Sequence, residues 1–569
     1  MSAIRRLPVV LCWHMHQPQY RDALTGEYVF PWTYLHAIKD YADMAAHLEA
    51  DPRARAVVNF TPVLLEQLAE LAERTLQCVN SGAPAPDPLL RVLTDGPLPQ
   101  EAAARLELLQ ACLRAQQRHM IERFAPYSEL VSVAQTFATP ARIGYASDQF
   151  LRDLGTWYHL VWLGESVRAA DARIEALAQG GTHIEATGRR LVLETVAQTL
   201  AGIIPRYRRL AQTGQCELSV SPYGHPILPL LLDFCTACEA APTLRLPHHQ
   251  HYPGGAERAE WHMNEALRVF TKHFGMRPVG CWPSEGAIST AALALIDRCG
   301  FSWAASSASV LRGTLVRHGE LAAAGEDLKH FDRPYRVAGQ RLLTFFRQDS
   351  LSDLIGFTYA SWHGDDAAQN LAHELGRLAE LYADDPNRCV LIALDGENAW
   401  EHYPFNGSFF LRAMYAALAE HPRLELTTLS QVLARGSEAA PLPDVVAGSW
   451  VNGTLATWMG DPAKNAAWDL LCDAKEAFDR VLSAGLLGAS ERDAALRQLA
   501  LCESSDWFWW FGDYNPADAV ASFDRLYRRQ LANLYRVLHL PVPDVLSNPI
   551  AVGHGDPEHG GVMRRAHGG

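Results

Sequence analysis

Two acidic residues stand where an apolar run gives way abruptly to polar side chains. In VLIALDGENAWEHYPF (Val390–Phe405), five β-favouring residues end at Asp395, and Trp400 and Tyr403 follow. In VGCWPSEGAIS (Val279–Ser289), a shorter apolar run gives way to Trp282, Pro283 and Glu285. A buried strand that delivers an acid to its own C-terminal end is how parallel α/β barrels place catalytic groups. Two carboxylates on separate strand ends, each beside an aromatic that can stack on a sugar face, are equipment for glycoside chemistry.

Imidazoles occupy equivalent positions. Leu7–Trp13 is an apolar strand that runs into His14, Met15, His16, Gln17 and Pro18. In extended backbone His14 and His16 face the same way, so both can enter one cleft. Glu217–Val220 leads in the same manner to His225. Leu342–Phe346 ends at Arg347, which can clamp a carboxylate, with Asp353 six residues on. Ala56–Phe60 and Phe301–Ser306 complete the set of predicted strands, and a second reading gives Leu130–Val133 strand character as well.

Those strands alternate with helical patterns, so the predicted fold is α/β, a parallel barrel with additions. The catalytic barrel is assigned to residues 1–425. It carries a helical insertion at about 62–214, in which Trp157, Tyr158 and Trp162 are assigned to packing. A helical region over 426–550 ends in an amphipathic closing helix at Asp518–Leu538 and holds Trp450, Trp458, Trp468, Trp507, Trp509 and Trp510. At least one of these is expected to line the site. A tail rich in Gly and His, residues 551–569, is expected to be disordered.

The chain has 569 residues, 48% of them hydrophobic, and a net charge of −14. That balance offers no basic face for nucleic acid or an anionic membrane, and it suits a neutral substrate. No apolar run reaches membrane-spanning length and no secretion signal is visible, so a cytoplasmic protein is expected. Eleven cysteines without framework spacing read as reduced thiols, and the isolated Cys235/Cys238 pair as ordinary thiols. His248, His249 and His251 read as a solvated loop, since no carboxylate or cysteine ligand stands at metal-site spacing. No metal or cofactor is expected.

Taken together in order, HMHQP (14–18), SPYGHPILPLL (221–231), GCWPSE (280–285), LDGENAWE (394–401) and the Trp-rich segment 454–468 resemble glycoside hydrolase family 57. The resemblance implies an irregular (β/α)7 barrel followed by a helical domain that helps to close the cleft, and retaining chemistry on α-glucans. It implies Glu285 as nucleophile and Asp395 as general acid/base. It assigns His14, His16, Gln17, His225 and Glu397 to the site, Trp282 to stacking before the nucleophile, and Trp458 and Asp461 to the fifth motif. Arg347 and Asp353 resemble a segment of the amylase and amylopullulanase-like members. A retaining pair needs its carboxyl groups about 5–5.5 Å apart, with the acid's pKa raised. The WPSEG and LDGEN forms favour a hydrolase over a 4-α-glucanotransferase or branching enzyme that uses the same two acids. Two further classes are a metal-dependent barrel deacetylase or mannosidase with His14, His16 and an aspartate as ligands, and a non-catalytic glucan-binding protein, which retention of both acids disfavours.

Overall fold

The computed structural model describes residues 5–322 and 328–555. Seven parallel strands form its centre: β1 Leu7–Met15, β2 Ala56–Phe60, β3 Cys216–Val220, β4 Gly280–Cys281, β5 Trp303–Ser307, β6 Leu343–Arg347 and β7 Val390–Asp395. They follow one another in the order β6-β5-β4-β3-β2-β1-β7, and a β6–β7 pairing at Arg347 and Leu391 closes the ring. The expected seven-stranded barrel is therefore observed.

The strands read as unbroken apolar runs because both of their faces are covered. Val10 and Cys12 of β1 point inward, with Val57, Trp303, Phe345, Leu391 and Ala393, while Val9, Leu11 and Trp13 pack outward against helices. Gly280 keeps β4 close to its neighbour, since a Cβ there would stand 1.7 Å from the Trp303 indole. Short strands extend the sheet outside the ring: Tyr335–Val337 runs antiparallel to β6, and Leu424–Leu426 pairs with β1.

Between β2 and β3 the chain is helical, including Pro62–Ser81, Ala125–Phe137, Asp148–Trp162 and Ala186–Gln212. Leu130–Val133, given strand character by its apolar content, lies inside the helix Ala125–Phe137. Its buried residues Tyr127, Leu130, Val131 and Ala134 have the i, i+3, i+4, i+7 spacing of one helical face. Trp157 and Tyr158 are core, as expected, whereas Trp162 reaches the central cleft.

After the last barrel elements come the helices Pro462–Ser483, Ala489–Cys502, Ser505–Trp510 and Ala517–Val537. Glu503, fully buried between two of them, ties this region to the barrel. It accepts from the Arg258 guanidinium (2.7 and 2.8 Å) and the Tyr252 hydroxyl (2.6 Å), and pairs with His262 Nε2 (2.7 Å). Residues 551–555 of the expected tail are ordered: the Ala551 amide meets Asp524, and Gly555 bridges to Pro516. The remainder of that tail, 556–569, lies outside the described residues. Among the described residues no helix is long and apolar enough to cross a membrane.

Candidate active site

The C-terminal ends of the barrel strands open into a cleft of 610 Å³, walled on one side by the barrel loops and on the other by the region after Ser504. Glu285 lies in a single turn after β4, in left-handed backbone (φ 58°). That conformation is costly for a residue with a Cβ, and Gly286, also at positive φ, continues the turn. It brings the carboxylate to Trp450, whose indole Nε1–H donates to Glu285 Oε2 at 2.9 Å, while the Trp450 amide donates to the Glu285 carbonyl at 3.1 Å. Asp395 ends β7, in register with His14 of β1, and accepts from Asn398 Nδ2 at 2.8 Å.

Both acids are held above the ordinary carboxylate range. Burial raises Glu285 to about 8, with the charge of Asp395 adding to the effect, and the Trp450 donor opposes it. Burial raises Asp395 too, against Asn398, His16 and Arg347. Burial is the first cause for both, and a buried carboxyl favours its protonated form, as a group that must donate a proton requires.

Three imidazoles form a stack beside them. His16 lies 3.8 Å from His225 and His14 lies 5.2 Å from His225, centroid to centroid. His14 Nδ1 is 2.7 Å from Asn59 Oδ1, while the Asn59 amide nitrogen donates to Ser219. Because that oxygen only accepts, His14 carries its proton on Nδ1 and leaves the buried Nε2 as an acceptor with no protein partner. Burial first, then the neighbouring His16, lowers His14 to about 3, so the ring is neutral. His16 joins both halves of the molecule: its Nδ1 meets Thr61 Oγ1 (3.0 Å) and its Nε2 meets both oxygens of Asp506 (2.9 and 3.0 Å).

Glu397 accepts through Oε1 from the His16 amide (3.1 Å), Gln17 Nε2 (3.3 Å) and the Tyr41 hydroxyl (3.1 Å), and its buried Oε2 has no protein partner. Burial, then the Asp395 charge, pushes it well above its usual range. Arg347 is fixed by Asp349 (2.8 Å), Asp353 (3.2 Å) and the Ala393 carbonyl (2.9 Å), and its guanidinium lies 5.3 Å from the Trp450 ring centroid.

The structure thus brings Glu285, Asp395, His14, His16, Gln17, Arg347, Asp353 and Glu397 to one cleft. Four expected residues are placed differently. Trp282 is fully buried, in edge contact with Trp450 (5.2 Å between centroids), so it supports that ring rather than presenting a surface to the cleft. His225 stands behind His16, anchored to Ser505 Oγ at 2.9 Å. Trp458 is sealed in the core behind Trp509. Asp461 caps the helix Pro462–Ser483 by accepting the Ala463 amide. Of the six tryptophans singled out, Trp450, Trp509 and Trp510 line the cleft.

Asp506 escaped the sequence reading, although its signal was present. In SSDWFWW the positions 506, 509 and 510 share one helical face, leaving Trp507 and Phe508 for the core. Outside the cleft, the loop with His248 and His249 is docked by its amides onto Asp469, and Cys235 and Cys238 are free thiols. Among the described residues, the group of atoms close enough to hold a metal ion is His16, His225 and Asp506, within 4.8 Å of one another. His14, expected as a ligand under the metal reading, is not part of it.

A family model described as glycosyl hydrolase family 57 matches residues 10–441. The chain belongs to that family. Membership makes it a glycoside hydrolase, and solved structures share its fold at low identity. A family 57 branching enzyme of Thermococcus kodakaraensis is 15% identical, with 93% of this chain and 90% of that one covered, at a TM-score of 0.59. An α-amylase of Thermotoga maritima is 13% identical, with 94% of each chain covered, at 0.54. A 4-α-glucanotransferase of Thermococcus litoralis is 14% identical, with 94% of this chain and 60% of that one covered, at 0.50. Three activities on one fold mean that the fold alone does not select among them.

Proposed function

We propose that the protein cleaves α-glucosidic bonds of α-glucans and maltooligosaccharides by double displacement. The observation that carries the reading is that the carboxyls of Glu285, in the turn after β4, and Asp395, at the end of β7, line one cleft. The reactive form is the one in which Asp395 holds the proton and Glu285 is ionised: Asp395 gives the proton to the leaving oxygen while Glu285 attacks the anomeric carbon. Asp395 then takes a proton from water, which releases the sugar with its anomeric configuration retained. The Trp450 indole steadies the charge on Glu285 before attack. Neutral His14 accepts a sugar hydroxyl at Nε2, and protonated Glu397 donates from Oε2. Arg347 and Asp353, bonded to each other, line the same cleft.

Water rather than a sugar acceptor is the reading taken for the second step, as in an amylase; transfer by the same two acids is the alternative. A second class rests on the His16, His225 and Asp506 group, which offers a site for a divalent metal. Chromatography of products from maltoheptaose and from pullulan, with and without EDTA, separates the three. Shorter maltooligosaccharides unaffected by EDTA are the expected result. Products longer than the substrate mean transfer, and loss of activity with the chelator means a metal enzyme. Eleven free cysteines support a reducing, cytoplasmic compartment.

A further inference from the structure

The cleft is of a size that takes a few sugar rings, so a polymeric glucan must continue onto the surface. One end of the cleft leads to a cluster of exposed aromatic rings. Glu401 lines both the cleft and a small adjoining cavity that also holds Arg123 and Asn406. Beside that cavity Phe405 is 42% exposed, with Phe409 (46%) at 5.1 Å between ring centroids. Trp362 (42% exposed) belongs to the same cluster. It packs on Tyr359, which packs on Phe410, and the backbone of Gly364 lies directly against Phe409 and Phe410. From Phe357 in the cleft wall to Trp362 is five residues of tight helical backbone, or roughly 10 Å.

The exposure is built rather than incidental. Phe405, Asn406 and Gly407 are three consecutive residues at positive φ, a conformation that Gly and Asn tolerate and that is costly for Phe405. Asn406 supplies a constraint, since it accepts from Lys39 Nζ (3.2 Å) and donates to Asp43 Oδ2 (3.0 Å). A Cβ on Gly407 would meet the Trp400 ring at 2.8 Å. Arg123, held by Glu165, lies 4.2 Å from the centroid of Phe405, which sets a polar, charged group beside an apolar ring.

We infer that Trp362, Phe405 and Phe409 form a surface site that binds the α-glucan chain where it leaves the cleft. This rests on the proposed α-glucan substrate. Aromatic rings beside polar groups match the alternating apolar faces and hydroxyl edges of a glucan. The patch is too small to hold a folded partner: rings that bury about 150–250 Å² each, less than half exposed, offer roughly 300 Å² against about 800 Å² on one side of a stable interface. Continuity with the cleft selects the same chain that occupies it.

The test compares the full-length protein with the double variant Trp362→Ala, Phe409→Ala by native electrophoresis through gels containing glycogen, and by kcat/KM on glycogen and on maltotetraose. Retardation by glycogen weakens roughly tenfold in the variant, as two lost ring contacts predict. Its kcat/KM on glycogen falls several-fold, and its kcat/KM on maltotetraose stays at the parent value. The single variant Trp362→Phe, which keeps a ring, retains most of the retardation, and unchanged maltotetraose turnover shows that the variants are folded. Equal retardation of parent and double variant overturns the inference while leaving the α-glucan assignment standing. A parent that neither binds glycogen nor acts on maltotetraose overturns the assignment, and this inference with it. A concentration-dependent dimer in sedimentation that the double variant abolishes makes the patch a self-association surface, and also overturns it.

Discussion

At Glu285 the chain accepts a left-handed backbone conformation, at about 1–2 kcal/mol, in return for a carboxylate aimed at the indole of Trp450. That hydrogen bond favours the charged carboxylate, so its removal favours the protonated one. Trp450→Phe is therefore expected to move the acid limb of the kcat/KM profile to higher pH by about one unit, because a bond to an ionised group is worth about 1.5–3 kcal/mol. At neutral pH this lowers kcat/KM on the order of tenfold. A pH profile with an unmoved acid limb contradicts the role given to the indole. Glu285 and Asp395 were legible as acids at the ends of apolar runs. Trp450 was legible only as one of six tryptophans expected to supply a site-lining ring; its bond to Glu285 was not, since it comes from a loop 165 residues away and only the folded barrel brings it to the carboxylate. Asp461 and Trp458 show the converse: the resemblance of the fifth motif suggested the site, while a helix cap and a core position claimed them.

At the scale of elements, the strands were readable because a barrel strand buried on both faces is an unbroken apolar run, and β2 and β7 fall where the runs do. The helical wall was less so, because tryptophans that pack and tryptophans that face a substrate differ only by their place in the helical period. What holds that wall against the barrel is Glu503, fully buried among Arg258, His262 and Tyr252. Burial would raise it, yet Arg258 and His262 lower it to about 2. A carboxylate whose folded pKa lies below its unfolded value contributes stability that is present above about pH 4.5 and lost as the pH falls towards 2. The difference corresponds to about 3 kcal/mol. Urea melts of the parent should thus lose stability steeply over that window. In Glu503→Gln this part of the pH dependence should vanish, and stability at pH 7 should fall by about 3–5 kcal/mol as Arg258 is left buried and unpaired. An unchanged midpoint at pH 7 contradicts the anchoring role.

On the scale of the whole molecule, the site belongs to neither half alone. The barrel supplies both acids, the imidazoles and Arg347, and the C-terminal helices supply Asp506, Trp509 and Trp510 across the cleft. The pair His16–Asp506 is where the two halves meet beside the reacting carboxyls. Sequence order alone could not show this closure, because the partners are 490 residues apart. The central claim, that Glu285 attacks and is then released with Asp395 as acid and base, is tested most directly by trapping the intermediate. The protein is incubated with a slow fluorinated α-glucosyl fluoride, digested, and mapped by mass spectrometry. The account predicts one glycosylated peptide, modified at Glu285 and absent from Glu285→Gln. A label on Asp395, or turnover with inverted anomeric product and no label, would contradict it.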